Sequence, residues 1–444
     1  MSHQASKLKL EQYGLEPIPE EQKRVKWYEY AMIQGGFTIN FGNFLLPALA
    51  VIKGGLPIVP AIIATVIGAT LAFICMSILS IPGAKHGIPA QYAMRSILGT
   101  YGARFITSPV RLLSLLYWFS VQIIGITYLS LEVLSTYFHI YIPFTMLAIC
   151  LGTIMIIITL IGFDAIKNTI TKLFPFLVLG QVIMIVLFSK DMIANSMQVN
   201  LFGDQHYSIA SFFIYASLVF VQYIASIYSS ADITRYAKSS KHGFFGILIG
   251  SIIGYTLIAI AATMSASLYQ QMNPFISSIQ LTNSPILIML IVLSALLSTI
   301  SININNAYSA AFSLLNSFPR LGRIRSTLVF GVIAMTLSLF PSLVEEADFY
   351  VALIGLLATP MAAVVIVDFI LNKKGAIIPY SESGRKQFKY NKTGIILIGI
   401  GAILYYFLPE QSSPGFITFI ITGITYAVLS YFLIINRKDR TKSI

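Results

Sequence analysis

Trp118 and Gln122 stand four residues apart in TyrTrpPheSerValGln at 117–122, within a long apolar stretch. That spacing puts both on one helix face. A flat ring lying on the indole would then have its edge within reach of the amide. Amides carry both a carbonyl acceptor and N–H donors, so they match the edges of uncharged heterocycles, while aromatic rings stack on the faces. Tyr223, next to Gln222 in another apolar stretch, is the candidate for the opposite face of such a sandwich. A third apolar stretch reads SerThrIleSerIleAsnIleAsnAsnAlaTyrSer at 298–309 and places Asn306 on one face with Ile302 and Asn303. A tryptophan alone is equally a packing residue, and asparagines in apolar helices also bond neighbouring helices. The combination of ring, amide and asparagine is what points to a ligand.

The missing chemistry narrows the field. All five histidines (His3, His86, His139, His206 and His242) fall in loops or tails. No HExxH, paired-cysteine motif, phosphate loop or carboxylate pair lies in an apolar stretch, which argues against an intramembrane enzyme. Cys75 and Cys150 both lie within apolar stretches and indicate neither a disulfide framework nor a metal site. Glu132 is the only acid well inside such a stretch. An intramembrane acid is a functional candidate by default, here for coupling or gating, although its place near a helix end would let it snorkel to the interface.

The elements that must hold these residues are transmembrane helices. The chain is 56% hydrophobic and 10% charged with mean hydropathy +0.80, whereas soluble domains are about 25% charged. Twelve apolar spans are expected near 28–51, 57–81, 107–137, 141–162, 169–189, 208–230, 244–268, 284–316, 326–341, 347–371, 393–408 and 415–435. Of the 29 Lys and Arg residues, all but Lys53 and Lys190 fall on one side of this arrangement. The net charge of +12 therefore reads as positive-inside bias rather than nucleic-acid binding. It predicts a multi-pass protein of the plasma membrane with both termini cytoplasmic. The polar segment 1–27 has no apolar core, so no cleavable signal peptide is expected.

The first span contains GlnGlyGlyPheThrIleAsnPheGlyAsnPheLeuLeuPro at 34–47. Its three glycines, two asparagines and glutamine would weaken a helix and strand polar backbone in hydrocarbon. Transporters use such interruptions to bind substrate or ion at mid-membrane, and Asn43 is a candidate substrate contact there. Span 6 has a matching polar centre at Gln222, Tyr223, Ser226, Tyr228, Ser229 and Ser230. Spans 1–5 and 6–10 would make two halves of opposite orientation, because five is odd, and span 6 then corresponds to span 1. The expected organisation is a core over 28–371 (28–189 and 208–371), two accessory helices over 393–435, and a basic tail over 436–444.

At these residues the sequence resembles the nucleobase–cation symporter-1 family, in particular its purine–cytosine permease branch. The resemblance covers nearly the whole chain. It is carried by GlyLeuGluProIleProGlu at 14–20, GlyIlePro at 87–89, TrpPheSerValGln at 118–122, AlaAspIleThrArgTyr at 231–236 and AsnAlaTyrSerAla at 306–310. It implies an all-helical, twelve-helix, leucine-transporter-like fold with a five-plus-five inverted repeat and broken helices 1 and 6. It further implies a heterocycle between Trp118 and Tyr223, with Gln122 and Asn306 at hydrogen-bonding positions. The family's sodium site, where present, takes carbonyls from the first break and span 8 plus two adjacent hydroxyls. Phe41, Phe44, Leu297 and Ser301 are the residues this implies here. Ile300 replaces one hydroxyl, and a shifted register would offer Ser298 and Thr299.

The expected function is import of a nucleobase (cytosine or a purine) or related heterocycle by alternating access. The coupling ion is sodium or a proton, and no cofactor is implied. Partners are then a small heterocycle, a monovalent cation and the bilayer. An amino-acid:cation symporter on the same fold is the alternative, favoured by the Gly35–Gly36 pair at the first break, but it gives Trp118 and Gln122 no role. A channel would need a pore lined by charges or carbonyl rings, which single broken helices do not supply.

Overall fold

The computed structural model describes residues 17–160, 163–195, 201–202, 207–227, 229–375 and 389–442. The start of the 14–20 motif, Tyr228 and residues 376–388 lie outside the described residues.

The first expected span is two helices, α1 (Trp27–Thr38) and α2 (Phe41–Ile52), bent by 61°. The sixth is likewise divided, into α7 (Ile209–Ile224) and the short α8 (Ser229–Thr234). Between them run α3 (Ile58–Ile78), α4 (Ser108–Phe138), α5 (Phe144–Thr159) and α6 (Phe163–Ala194). After them come α9 (Ser240–Tyr269), α10 (Pro285–Ser317), α11 (Arg323–Leu337), α12 (Ala347–Val367), α13 (Lys392–Phe407) and α14 (Pro414–Lys442). Each expected span therefore has its helix or helix pair. The two longest readings, spans 3 and 8, become helices of 31 and 33 residues. A helix over Pro274–Gln280, unforeseen in the sequence, lies between α9 and α10.

The packing inverts that of a soluble protein. On α3, Ile63, Ile67, Leu71 and Ile74 are exposed along one stripe while Ala61, Ala64, Gly68 and Ala72 are buried on the other. Without a hydrophobic drive between helices in lipid, small residues at the interface let backbones approach closely. A Cβ on Gly68 would come within 2.0 Å of the Ala216 carbonyl oxygen on α7. One on Gly250 of α9 would reach 2.3 Å from the Ala31 oxygen of α1.

The loops carrying most of the basic residues pack together on one face. There the chain before α1 pairs with the chain after α8, Val25 N–H donating to Tyr236 O at 3.0 Å and Lys238 N–H to Val25 O at 2.9 Å. Arg104 Nε donates to Ser317 O at 2.7 Å, capping the carbonyl end of α10. α1 and α8, the halves of the broken spans nearer this face, are thus joined at their outer ends. Their partners α2 and α7 run toward the opposite face, where Phe44 meets Phe275 of the Pro274–Gln280 helix edge-on, ring centroids 5.3 Å apart.

Candidate functional site

The first interruption is made by Asn40 rather than by the glycines around it. Ile39 and Asn40 are extended, with ψ of 91° and 163°, while Gly35 and Gly36 sit inside α1 and Gly42 inside α2. Asn40 caps α2 by accepting from Asn43 N at 3.2 Å, the usual role of asparagine before a helix. Its Nδ2 donates to the Phe37 carbonyl at 2.7 Å and the Thr38 carbonyl at 3.3 Å. Asn43 Nδ2 donates to the same Thr38 carbonyl at 2.6 Å. Carbonyls freed where α1 ends are thereby satisfied by two side chains from α2's first turn and its cap.

Both amides reach onward. Gln122 Nε2 on α4 donates to Asn40 Oδ1 at 2.6 Å, and Gln222 Nε2 on α7 donates to Asn43 Oδ1 at 2.6 Å. On α10, Asn306 Nδ2 donates to Asn303 Oδ1 at 3.4 Å, and Asn303 Nδ2 to Phe119 O at 3.4 Å. Gln34, Gln122 and Gln222 are 6%, 1% and 4% exposed, and their Oε1 atoms have no hydrogen-bond partner among the described residues.

These side chains surround a cavity of about 100 Å³ where α1, α2, α4, α7, α8 and α10 meet. That is smaller than the cavity of about 150 Å³ known to hold one benzene ring, so the space is on the scale of a single small ring rather than a larger ligand. The structure brings Asn43, Trp118, Gln122, Gln222, Tyr223 and Asn306 together around it. Trp118 is set edge-on against Tyr117 at 4.7 Å, and Tyr223 edge-on against Phe73 at 4.5 Å. Gly42 makes room for both the indole and the Gln122 amide, since a Cβ there would lie 3.0 Å from Trp118 and 2.8 Å from Gln122 Nε2. Gln34 and Asn40, read in the sequence as part of the interruption but not as cavity residues, and Asn305 also line the cavity. The cap position of Asn40 was the available signal.

The remaining candidates stand outside this lining. Phe41 lies against α4, where a Cβ on Gly125 would fall 2.0 Å from its ring, and Phe44 against Phe275. Leu297 and Ser301 lie on α10. Glu132 borders a separate recess near the far end of α4, where it accepts from Gln280 Nε2 at 2.8 Å.

Below the cavity, toward the basic face, Tyr30, Ile33, Phe37, Ile233 and Tyr308 form an apolar cluster. Beside it Arg111 of α4 pairs with Asp232 of α8, both side chains fully buried. Arg111 Nη2 also donates to Ser229 at 3.2 Å, and Asp232 accepts from Ala90 N at 2.8 Å. Arg235, three residues along the chain from Asp232, donates Nε to the Gly87 carbonyl at 3.1 Å. Asp368 similarly accepts from Tyr426 at 2.7 Å and Asn372 at 2.8 Å.

A family model described as permease for cytosine/purines, uracil, thiamine and allantoin matches residues 17–390. A comparison with curated proteins finds no match. Among solved structures, the chain is similar to MHP1, a nucleobase-cation-symport-1 family transporter, in a closed conformation with bromovinylhydantoin bound. That match has TM-score 0.76 and 18% identity, covering 94% of this chain and 95% of that one. The inward-facing conformation of Mhp1 gives TM-score 0.77 at 18% identity, covering 98% and 96%. A Na+-coupled sialic acid symporter in a substrate-bound outward-open state gives 0.61 at 14%, covering 92% and 91%. The fold is therefore the leucine-transporter-like arrangement, with α1–α14 forming its spans and the first and sixth spans each divided in two.

Proposed function

Because the chain belongs to the family of permeases for cytosine/purines, uracil, thiamine and allantoin, we propose that it imports a nucleobase or related uncharged heterocycle together with a monovalent cation. The observation that carries the reading is the meeting of two rings, Trp118 and Tyr223, and four amides, Asn43, Gln122, Gln222 and Asn306, around one small cavity between two broken helices. Neutral amides and aromatic faces suit a flat polar ring. An amino acid would want its carboxylate at the start of α2, where the Asn43 N–H is already taken by Asn40.

Alternating access follows from the apolar layers on either side. The Tyr30, Ile33 and Phe37 cluster closes the basic face, which we take as cytoplasmic from its charge, and the Phe44–Phe275 contact lies toward the other. For the ion, sodium would be held by oxygens at Phe41, Phe44, Leu297 and Ser301, which provide hard ligands without net charge. A proton would need a titratable group, for which Glu132 is the candidate. Uptake that rises with external sodium at fixed pH and falls in Ser301→Ala supports sodium. Indifference to sodium, with loss of uptake under a protonophore and in Glu132→Gln, assigns the proton.

A radiolabelled uptake panel of cytosine, adenine, hypoxanthine, uracil and leucine tests the substrate class. In the same assay Trp118→Ala is expected to weaken binding by about 1–3 kcal/mol, the scale of a lost base–aromatic stack. Unchanged affinity in a well-folded variant would return Trp118 to simple packing.

A further inference from the structure

We infer that this cavity reads hydrogen-bond donors. Its amides are turned so that they offer oxygen, and Asn40, Asn43 and Asn303 are the positioning residues that set this polarity. The substrate class is then a heterocycle carrying N–H groups on the edges that face α4, α7 and α10. The inference rests on the heterocycle reading of the cavity and deepens it.

The two ends of a side-chain amide have nearly the same shape, and only their partners distinguish them. Here the partners are main-chain groups whose polarity is fixed. Asn40 lies between a backbone N–H at one end, that of Asn43, and two backbone carbonyls at the other, those of Phe37 and Thr38. Its oxygen must face the N–H and its nitrogen the carbonyls. The oxygen also faces Gln122, so the Gln122 nitrogen turns toward it at 2.6 Å. Gln122 Oε1 is left buried and unpartnered among the described residues.

The same logic runs through the second pair. The Thr38 carbonyl claims Asn43 Nδ2, Asn43 Oδ1 claims Gln222 Nε2, and Gln222 Oε1 remains buried without a partner. On α10 the Phe119 carbonyl holds Asn303 Nδ2, and Asn303 Oδ1 holds Asn306 Nδ2, at the longer distance of 3.4 Å in both steps. The backbone at the helix break and on α4 thus dictates, through one intermediate amide each, what the cavity presents. A buried acceptor without a donor is costly. A ring N–H or an exocyclic amino group relieves that cost, whereas a ring carbonyl or bare ring nitrogen at the same place adds repulsion.

The test is competition for uptake by cytosine, uracil and adenine, each against isosteres in which a single N–H is replaced by ring oxygen or CH. At least one replacement per base should weaken competition about tenfold or more, ~1.4 kcal/mol per decade. Asn40→Leu frees Gln122 to turn and should shrink that discrimination. Asn40→Ser keeps a cap oxygen at the start of α2 but no amide facing Gln122, so it should shrink the discrimination as Asn40→Leu does without uncapping the helix. If isosteres compete as well as their parents while Trp118→Ala still impairs uptake, the polarity inference is overturned and the heterocycle reading stands. If no base competes and Trp118→Ala is without effect, the heterocycle reading itself fails.

Discussion

The two broken spans are interrupted at equivalent places but secured in opposite ways. At the first, the ends of α1 and α2 are joined by neutral groups, with Asn40 and Asn43 bridging main-chain carbonyls and the glutamines of α4 and α7. At the second, no amide side chain among the described residues closes the turn at Ala225–Ile227. Instead α8 is held at Asp232 by a full charge pair with Arg111 of α4 and by the Ala90 N–H. A neutral amide can exchange a protein partner for a substrate without a large change in solvation. A buried charge cannot, because an ion left alone in the interior is strongly disfavoured. The first break is therefore suited to reading a ligand, and the second to anchoring a helix half against α4.

If that division holds, breaking the charged anchor should have the largest effect on stability. Arg111→Met leaves the Asp232 carboxylate buried without its countercharge and should cost about 3–5 kcal/mol, measured as unfolding in detergent. Replacing both residues with apolar ones should recover most of that loss, since a buried pair is often no more stabilising than well-packed hydrocarbon. A single substitution costing less than about 1 kcal/mol would remove the distinction between the two breaks.

Asn40→Ala probes the neutral break. It removes the cap of α2 and leaves the Gln122 nitrogen and the Phe37 carbonyl without this partner. The expected loss is about 1–3 kcal/mol, smaller than at Arg111. A loss exceeding that of Arg111→Met would reverse the assignment of roles.

How much of this was visible in the sequence follows from the range of the interactions involved. Apolar length is a local property, so span 3 at 107–137 became a helix at Ser108–Phe138, and span 8 at 284–316 became Pro285–Ser317. The polar centres of spans 1 and 6 were equally local and marked both breaks. The glycines misled about position: the chain parts at Ile39–Asn40, where a capping asparagine starts a new helix, while Gly42 serves the approach of Trp118. Long-range pairings left no such trace. Asp232 finds its partner 121 residues earlier, and Arg235, its near neighbour in the chain, is occupied elsewhere. Gln122 was read as an amide that could meet a ligand. Which of its ends is left without a protein partner depends on Asn40, 82 residues away, and no spacing rule reports that.

The smallest effect is expected from an ion pair outside both breaks, which isolates burial as the variable. Lys53, just beyond α2, pairs with both carboxylate oxygens of Asp348 at the start of α12, at 2.9 and 3.0 Å. Its side chains are 44% and 26% exposed, against 0% for both members of the Arg111–Asp232 pair. Water competes for the exposed charges and ordering two flexible groups opposes the attraction, so Lys53→Met should cost about 0.2–1 kcal/mol. Whatever is lost should shrink further as salt is raised, because exposed charges are screened over about 8–10 Å at 0.1–0.15 M ionic strength. The Arg111→Met loss should barely respond to salt, since mobile ions do not reach a pair without solvent exposure. Similar salt dependence for the two variants would mean that Arg111 and Asp232 are hydrated in the working protein, and that the second break is no drier than the surface.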